Sequence, residues 1–222
     1  MIEPLHTERY KNCTIKIYPD EDAQSPDEWE DDNIFLVAYH RNFTVKRDEI
    51  VTEDQVKMIL SGEYKEKEAE EYEKKEACKD IMRKYHIFGL EAYIHSGVVL
   101  ALVREGNFPD RQWDVSYLGA VLVAKTEWKT KDKARKAALS LIETWNDYLS
   151  GNVYGYQAEG SNGEEIGGCS GFYGDYEKSG MLQEAKSLID YFVESEIKKH
   201  EKKLKAQILH SVPLEQRKGL LI

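Results

Sequence analysis

Alternating and continuous apolar runs predict the first strands of the chain. Residues 12–18 (NCTIKIY) alternate between polar and apolar side chains and end at Pro19, a pattern typical of a half-buried strand. Ile34–His40 (IFLVAYH) is a second apolar run. We expect these two strands to pair in an antiparallel arrangement.

The middle of the chain predicts three further strands. Residues 87–94 and 98–103 are apolar runs joined at His95, Ser96 and Gly97, which indicates a hairpin, and residues 115–124 form another strand. Because residues 98–103 (VVLALV) are apolar without alternation, we expect that strand to lie centrally with both faces covered.

A second hairpin is predicted between residues 152 and 173. Gly151 follows the last apolar position of a helix and ends it. Two strand-like runs, 152–159 and 165–173, flank the turn Gly-Ser-Asn-Gly at 160–163. The returning run is crowded with glycine, which favours a bulge or a close backbone approach beneath a helix. A phosphate-binding loop is the alternative, although neither P-loop nor GxGxxG spacing is present.

Helical patterns account for the remaining long segments. Thr52 and Gln55 form a capping box that begins a short helix, and a charged helix is predicted over residues 63–85. Residues 131–149 carry apolar side chains at helical spacing, and a long helix runs from Met181 to about Ile208. The second half of that last helix is basic.

Strands followed by helices, rather than alternating with them, predict an α+β fold. We expect a mainly antiparallel sheet of about five to seven strands, with the helices starting at Lys131 and Met181 on one face. The charged helix would project or cover an edge. We expect a single domain over residues 1–222, made of N-terminal strands and an acidic loop (1–50), a helical insertion (52–85) and a sheet–helix core (87–222).

The net charge of −10 is concentrated in the first third of the chain. Residues 1–80 hold 22 acids and 12 bases, whereas residues 81–222 hold 19 of each. Such a surface disfavours direct nucleic-acid binding and attracts basic partners. Eight of these acids lie within residues 20–32, where calcium-loop spacing is missing. They are the predicted partner-binding residues Asp20, Glu21, Asp22, Asp27, Glu28, Glu30, Asp31 and Asp32.

Several classes of protein are disfavoured by what the sequence lacks. No apolar run approaches the ~20 residues of a membrane span, and the first residues have no signal-peptide core. The three cysteines are odd in number and widely spaced, so neither a disulfide framework nor a zinc site is expected. We therefore expect a cytoplasmic protein, with no metal and no cofactor.

If the chain is an enzyme, its best candidate residues are Cys169, His95 and Asp114. Cys169 would act as nucleophile, His95 as base and Asp114 as the group that orients the base. The alternative is a packed structural thiol, because cysteine is among the most often buried residue types.

The stretch YLSGNVYGY…GEEIGGCSGFYGDY, which begins at Tyr148, resembles a family of uncharacterised proteins from bacteriophages and mobile elements. Members carry Tyr-Leu-x-Gly-x-Val-Tyr-Gly-Tyr, then Gly-Glu-Glu, then Cys-Trp-Gly-Phe-Tyr-Gly. Residues 95–97 match part of an Asp-His-Ser-Gly motif, and residues 113–114 part of Trp-Asp-Ser-Gly-Gln-x-Gly. Ile94 and Ser170 replace the Asp and the Trp, and Val115-Ser116-Tyr117 replaces Ser-Gly-Gln. The resemblance implies an origin rather than a chemistry.

Two functional hypotheses follow, beside a structural or replication-accessory role that the sequence leaves open. The first is a phage or mobile-element accessory protein of the host cytoplasm that binds a host protein, such as a restriction or CRISPR nuclease or another DNA-binding complex. Its acidic segment would occupy a groove meant for phosphates, giving an anti-defence inhibitor. The second is a thiol-dependent hydrolase or transferase that uses Cys169 and His95.

Overall fold

A computed structural model describes residues 3–29, 31–65, 72–95, 97–109 and 111–213. The strands of these residues are β1 (His6–Tyr10), β2 (Cys13–Pro19), β3 (Ile34–His40), β4 (Phe43–Val45), β5 (Tyr85–Ile94), β6 (Val98–Leu102), β7 (Val115–Ala124), β8 (Val153–Glu159) and β9 (Glu165–Tyr173). The α-helices are α1 (Glu53–Ser61), α2 (Tyr72–Lys84), α3 (Arg111–Asp114), α4 (Lys131–Leu149) and α5 (Met181–Ser211). Short 3-10 helices span Pro26–Trp29 and Glu63–Lys65.

Contacts divide the chain into two compact units. The first unit takes in the residues up to Glu21 and those from Val153 onward, and the second runs from Asp22 to Asn152. The predicted domain over residues 1–222 thus contains two units, each with its own sheet and its own packed helices.

The second unit is built on a five-stranded antiparallel sheet in the order β4-β3-β7-β5-β6. The central strand β7 is buried on both faces from Leu118 to Ala124. Its Gly119 is required by a close approach of two backbones, because an added Cβ would lie 2.1 Å from the carbonyl oxygen of Val37 on β3. The strand that is covered on both sides is therefore β7.

Helices cover both faces of this sheet. On one face α4 packs Ala138, Leu141 and Trp145 against the strands. On the other face α1 and α2 contribute Val56 and Ile81. Thr52 caps α1 as predicted, since its hydroxyl accepts from the Gln55 amide at 3.4 Å and its own amide donates to the Gln55 side chain at 2.8 Å.

The predicted charged helix over residues 63–85 differs from the structure in two ways. Its described part consists of a 3-10 turn at Glu63–Lys65 and of α2, while residues 66–71 lie outside the described residues. Tyr85 already begins β5. Instead of projecting, α2 buries Cys78 and Ile81, because its thin apolar stripe is sufficient to hold it on the sheet face.

Strand β6 was expected to lie centrally, and this expectation is wrong. It is an edge strand, and Val99 and Val103 are 44% and 37% exposed. The backbone of Leu100 is nevertheless paired at this edge: the Asn146 side chain of α4 accepts from the Leu100 amide at 2.8 Å and donates to the Leu100 carbonyl at 3.0 Å. Asn146 thus replaces a neighbouring strand and protects the edge from pairing with another chain.

The first unit is a four-stranded antiparallel sheet in the order β1-β2-β8-β9, with α5 on one face. Met181, Ala185 and Ile189, spaced four residues apart on α5, are fully buried against Ile15 and Ile17 of β2. This spacing places all three side chains on one side of the helix. Beyond residue 195 the side chains of α5 that the structure describes are exposed.

The predicted α+β class is confirmed. The described strands form two sheets of four and five rather than one sheet of five to seven, and α4 and α5 lie on different sheets rather than on one face. The expected pairing of β2 with β3 is wrong, since they belong to different sheets. Alternation identifies a strand but not its partner, because pairing is decided by contacts distant in sequence.

We expect the edge contact of Asn146 to contribute to the stability of the second unit. Asn146→Ala removes two hydrogen bonds and leaves the Leu100 backbone without partners, so we expect it to lower the free energy of unfolding by about 1–3 kcal/mol in urea denaturation. The exposed Glu143 on the same helix is the control, and Glu143→Ala should change stability by less than about 0.5 kcal/mol. Equal effects of the two substitutions would show that Asn146 does not secure the edge.

Candidate functional site

The acidic segment of residues 20–32 belongs to both units. Asp20 and Glu21 lie in the first unit, and the segment from Asp22 to Asp32 lies in the second. Glu30 falls outside the described residues. The 3-10 helix Pro26–Trp29 contacts α4 and buries Pro26, so this part of the segment is anchored rather than free.

The carboxylates of the segment have different local roles. Asp20 accepts a hydrogen bond from the Gly171 amide at 3.0 Å, and Asp31 accepts from the Asn33 amide at 2.8 Å. Asp27 accepts from the Ser25 hydroxyl. Among the described residues of the segment, Asp32 alone has an ion pair, with Arg47. Most of the negative charge of this segment is therefore not neutralised by the described bases of the protein.

A cavity of about 120 Å³ lies beneath the acidic segment in the second unit. Its walls come from the 3-10 helix, β3, β4 and α4. The apolar lining residues are Pro26, Trp29, Ile34, Phe35, Leu36, Val45, Leu141 and Trp145. The charged lining residues are Asp27, Asp31 and Arg47. We call this feature the acid-rimmed cavity.

Arg47 is the one described base in the lining of this cavity, and it is already paired. Its guanidinium donates to Glu49 at 3.0 Å and forms an ion pair with Asp32. It also lies over the Phe35 ring, 5.2 Å from the centroid, a favourable cation–π position. With its side chain only 14% exposed, Arg47 is held as part of the wall.

Cys169 was expected to be either a nucleophile or a packed thiol. It lies on the edge strand β9 and is exposed, in contrast to the buried Cys13 and Cys78, so the packed alternative is wrong. Partial burial and the carboxylate of Glu184, which also hydrogen-bonds the thiol, raise its pKa above the ordinary value. A thiol beside a carboxylate is held in its neutral and less nucleophilic form.

Tyr156 lies beside Cys169 and Glu184 in the first unit. Its hydroxyl donates to Glu184 at 3.4 Å. Burial, together with Glu184 and Cys169, raises the pKa of Tyr156 to about 12. Sequence reasoning missed both Glu184 and Tyr156, because the sequence contains no spacing that links α5 and β8 to Cys169.

The glycines beside Cys169 serve backbone packing, as expected. The β8–β9 register shifts at Gly155, where an added Cβ would lie 2.9 Å from Ser170 Cβ. At Gly168 it would lie 2.5 Å from the Tyr156 carbonyl oxygen, and at Gly167 it would meet Leu188 of α5 at 3.3 Å. The predicted bulge and close approach beneath a helix are confirmed.

The structure brings His95 and Asp114 together in the second unit, whereas Cys169 lies in the first. His95 Nδ1 is 3.6 Å from Asp114 Oδ2, and the His95 ring stacks on Tyr93 with centroids 6.1 Å apart. This distance exceeds that of a hydrogen bond. His95 is exposed at the end of β5.

A second polar pair of the second unit was also missed by sequence reasoning. Glu91 of β5 is only 5% exposed, and both its oxygens accept from Arg111 Nη2, at 2.7 and 2.6 Å. Arg111 also donates to the Gly106 carbonyl at 2.9 Å, so the pair ties α3 and the preceding loop to the sheet. Since the carboxylate and the guanidinium satisfy one another, this is a structural ion pair.

Within the part of the chain that the structure describes, no helix is both long and apolar enough to cross a bilayer, and no three His, Cys, Asp or Glu side chains are grouped to hold a metal ion. No protein-family model, curated protein or solved structure matches the chain.

The environment of Cys169 predicts slow alkylation. We expect iodoacetamide to label Cys169 at pH 7 more slowly than a free cysteine, with the midpoint of its pH–rate profile above the ordinary thiol pKa of about 8.5. Glu184→Gln removes the neighbouring negative charge, so the midpoint should fall and the rate at pH 7 should rise.

The labelled position is identified by mass spectrometry, with Cys169→Ser as the blank. A midpoint below 7 in the unsubstituted protein would contradict the expected protonation state and favour a nucleophilic thiol.

Proposed function

We propose that this protein acts by binding another protein, whose cationic surface docks on the acidic segment. The main support is the state of the carboxylates. Among the described residues of the segment, Asp32 alone forms an ion pair with a base. The other exposed acids have no ion pair with a described base; they include Asp22, Asp27, Glu28 and Asp31. An unneutralised cluster of carboxylates speeds encounter with a basic partner and makes binding sensitive to salt.

The 3-10 helix is the second support. It contacts α4, one of the two helix layers of the second unit, and thereby fixes Asp27 and Glu28 on an ordered turn. A fixed array of charges loses less conformational entropy on binding than a mobile tail does. The segment is thus suited to recognition by shape as well as by charge.

The narrower form of the proposal concerns the kind of partner. The resemblance of residues 148–174 to phage and mobile-element proteins, together with the acidic segment, favours a nucleic-acid-handling host protein in the cytoplasm, such as a restriction or CRISPR nuclease. Carboxylates in place of backbone phosphates would occupy its DNA-binding groove. The protein would then be an anti-defence inhibitor that does not itself bind nucleic acid.

The thiol-dependent hydrolase or transferase stays the competing hypothesis. It requires an activated thiol, whereas Glu184 beside Cys169 raises the pKa of the thiol, and the pKa of the neighbouring Tyr156 is itself raised to about 12. Activation of a cysteine instead needs a cationic or basic neighbour. Protein binding is therefore the function that the geometry supports better.

The binding proposal is tested with two variants of equal net charge. The first neutralises the exposed acids of the segment with Asp22→Asn, Asp27→Asn, Glu28→Gln and Asp31→Asn. The control neutralises four exposed acids elsewhere with Glu73→Gln, Asp80→Asn, Glu194→Gln and Glu201→Gln. Both variants and the unsubstituted protein are immobilised and incubated with bacterial lysate at about 50 mM and about 500 mM salt.

We expect a partner that the unsubstituted protein and the control retain at low salt and release at high salt, and that the segment variant fails to retain. For the narrower proposal, the purified partner should lose its affinity for DNA when this protein is added. Equal retention by the two variants would show that total charge, rather than this segment, determines binding, and would overturn the proposal.

A further inference from the structure

The second half of α5 is a helix whose described side chains have no tertiary packing. Beyond residue 195 the helix continues over residues 196–211, about 24 Å at a rise of ~1.5 Å per residue. Every side chain that the structure describes there is exposed. Most of the stability of helices in proteins comes from the packing of one face against the rest of the fold. This half of α5 therefore presents an unpartnered helix surface.

Five lysines lie on one side of this exposed helix. They are Lys198, Lys199, Lys202, Lys203 and Lys205. Each is three or four residues from another member of the set, which is the spacing that brings side chains together on a helix surface. The first two pair locally with Glu194 and Glu196, at 3.8 and 2.6 Å. The other three have no ion pair with a described residue. We call this surface the lysine face of α5.

The lysine face by itself is unfavourable for the helix. Lys198 and Lys202 are like charges at i,i+4, and so are Lys199 and Lys203, a spacing at which like charges destabilise a helix. The single acid among residues 198–205 is Glu201. An anionic surface docked on the lysine face would offset this repulsion. The face therefore selects an acidic occupant.

The same chain carries a surface of the complementary charge. Asp22, Asp27, Glu28 and Asp31 of the acidic segment are exposed and have no ion pair with a described base. Asp27 and Glu28 belong to the 3-10 helix that contacts α4, so these two carboxylates are presented on an ordered turn. Because the lysine face and the acidic segment are both exposed in the chain, each is open to a second copy.

The net charge of −10 does not prevent such a contact. At 0.15 M salt the screening length is ~8 Å, so charges remote from the contact repel weakly, whereas those within it attract. Each exposed ion pair contributes little, and several acting together give a reversible contact. We therefore expect self-association that is weak and sensitive to salt.

We propose that the lysine face of α5 in one copy docks on the acidic segment of a second copy. The contact shares the acidic segment with the proposed function and rests on it, because both require that segment to receive cations. A basic partner and a second copy would then exclude one another. Self-association would keep the segment covered until a partner of higher affinity displaces the second copy.

Charge reversal on each surface tests this contact. The helix variant carries Lys202→Glu and Lys205→Glu, and the segment variant carries Asp22→Lys and Glu28→Lys. Glutamate and lysine have similar helix propensities, so the helix variant should keep its fold, which is checked by circular dichroism. Self-association is measured by sedimentation equilibrium at about 0.1 M and about 0.5 M salt.

A control variant separates the lysine face from net charge. Lys133→Glu with Lys136→Glu changes the net charge by the same amount as the helix variant does. Both lysines are exposed on α4 and have no ion pair with a described residue. The control should therefore self-associate as the unsubstituted protein does.

We expect the unsubstituted protein to self-associate at the lower salt concentration, and its dissociation constant to rise at least about tenfold at the higher one. The helix variant and the segment variant should each self-associate at least about tenfold more weakly than the control, since attractions become repulsions. Two results would overturn the proposal: an unsubstituted protein that stays monomeric up to about 1 mM, or a helix variant that associates as strongly as the control.

Mixing the helix variant with the segment variant distinguishes this contact from other modes of self-association. The acidic segment of the helix variant meets the unchanged lysine face of the segment variant, and the two reversed surfaces also match in charge. An equimolar mixture should therefore regain the affinity of the unsubstituted protein to within about threefold. A mixture that associates no more strongly than its separate components would contradict docking between these two surfaces.

This proposal and the proposed function fail separately. A monomeric protein that still retains a partner from lysate through the acidic segment would remove self-association and leave the proposed function. Self-association that is lost on charge reversal and regained on mixing, without any retained partner, would do the reverse.

Discussion

Burial of β7 on both of its faces is the constraint around which the second unit is arranged. The strand pairs with β3 and β5, and the approach to β3 is so close that Gly119 leaves no space for a side chain. A strand buried on both sides requires a layer of helices on each face, which α4 supplies on one and α1 with α2 on the other. Because β3 and α4 are both held against β7, the space between the start of β3 and α4 is fixed as well, and the acid-rimmed cavity lies there.

The fold determines which of the acidic residues are held by the protein itself and which remain exposed. In the sequence the acids of residues 20–32 form one cluster, but in the structure they have different surroundings. Asp20 is used to hold the Gly171 backbone, and Asp32 balances Arg47. Asp27 and Asp31 remain exposed at an apolar opening. A carboxylate beside apolar surface is a more selective feature than a carboxylate surrounded by water, because a partner must match both properties at once.

Local features of this fold could be predicted from the sequence, whereas features that depend on distant contacts could not. The α4 boundaries and the β8–β9 hairpin follow from caps, turns and periodicity, which act within a few residues. The edge position of β6 could not be read from its apolar composition, since it depends on pairing and on Asn146, 46 residues away. For the same reason the cavity and the carboxylate beside Cys169 were missed: each requires side chains that only the tertiary fold brings together. The acidic residues themselves were identifiable, but not which of them stay unpaired.

An acidic surface and an apolar cavity contribute differently to recognition. Long-range attraction between opposite charges raises the rate of encounter, and salt weakens it, but it discriminates poorly among basic proteins. Discrimination comes from a few buried contacts near the centre of an interface. On this protein the exposed carboxylates and the cavity occupy the same place, with Asp27 and Asp31 belonging to both. A basic partner drawn in by charge would therefore meet the apolar cavity at its point of arrival.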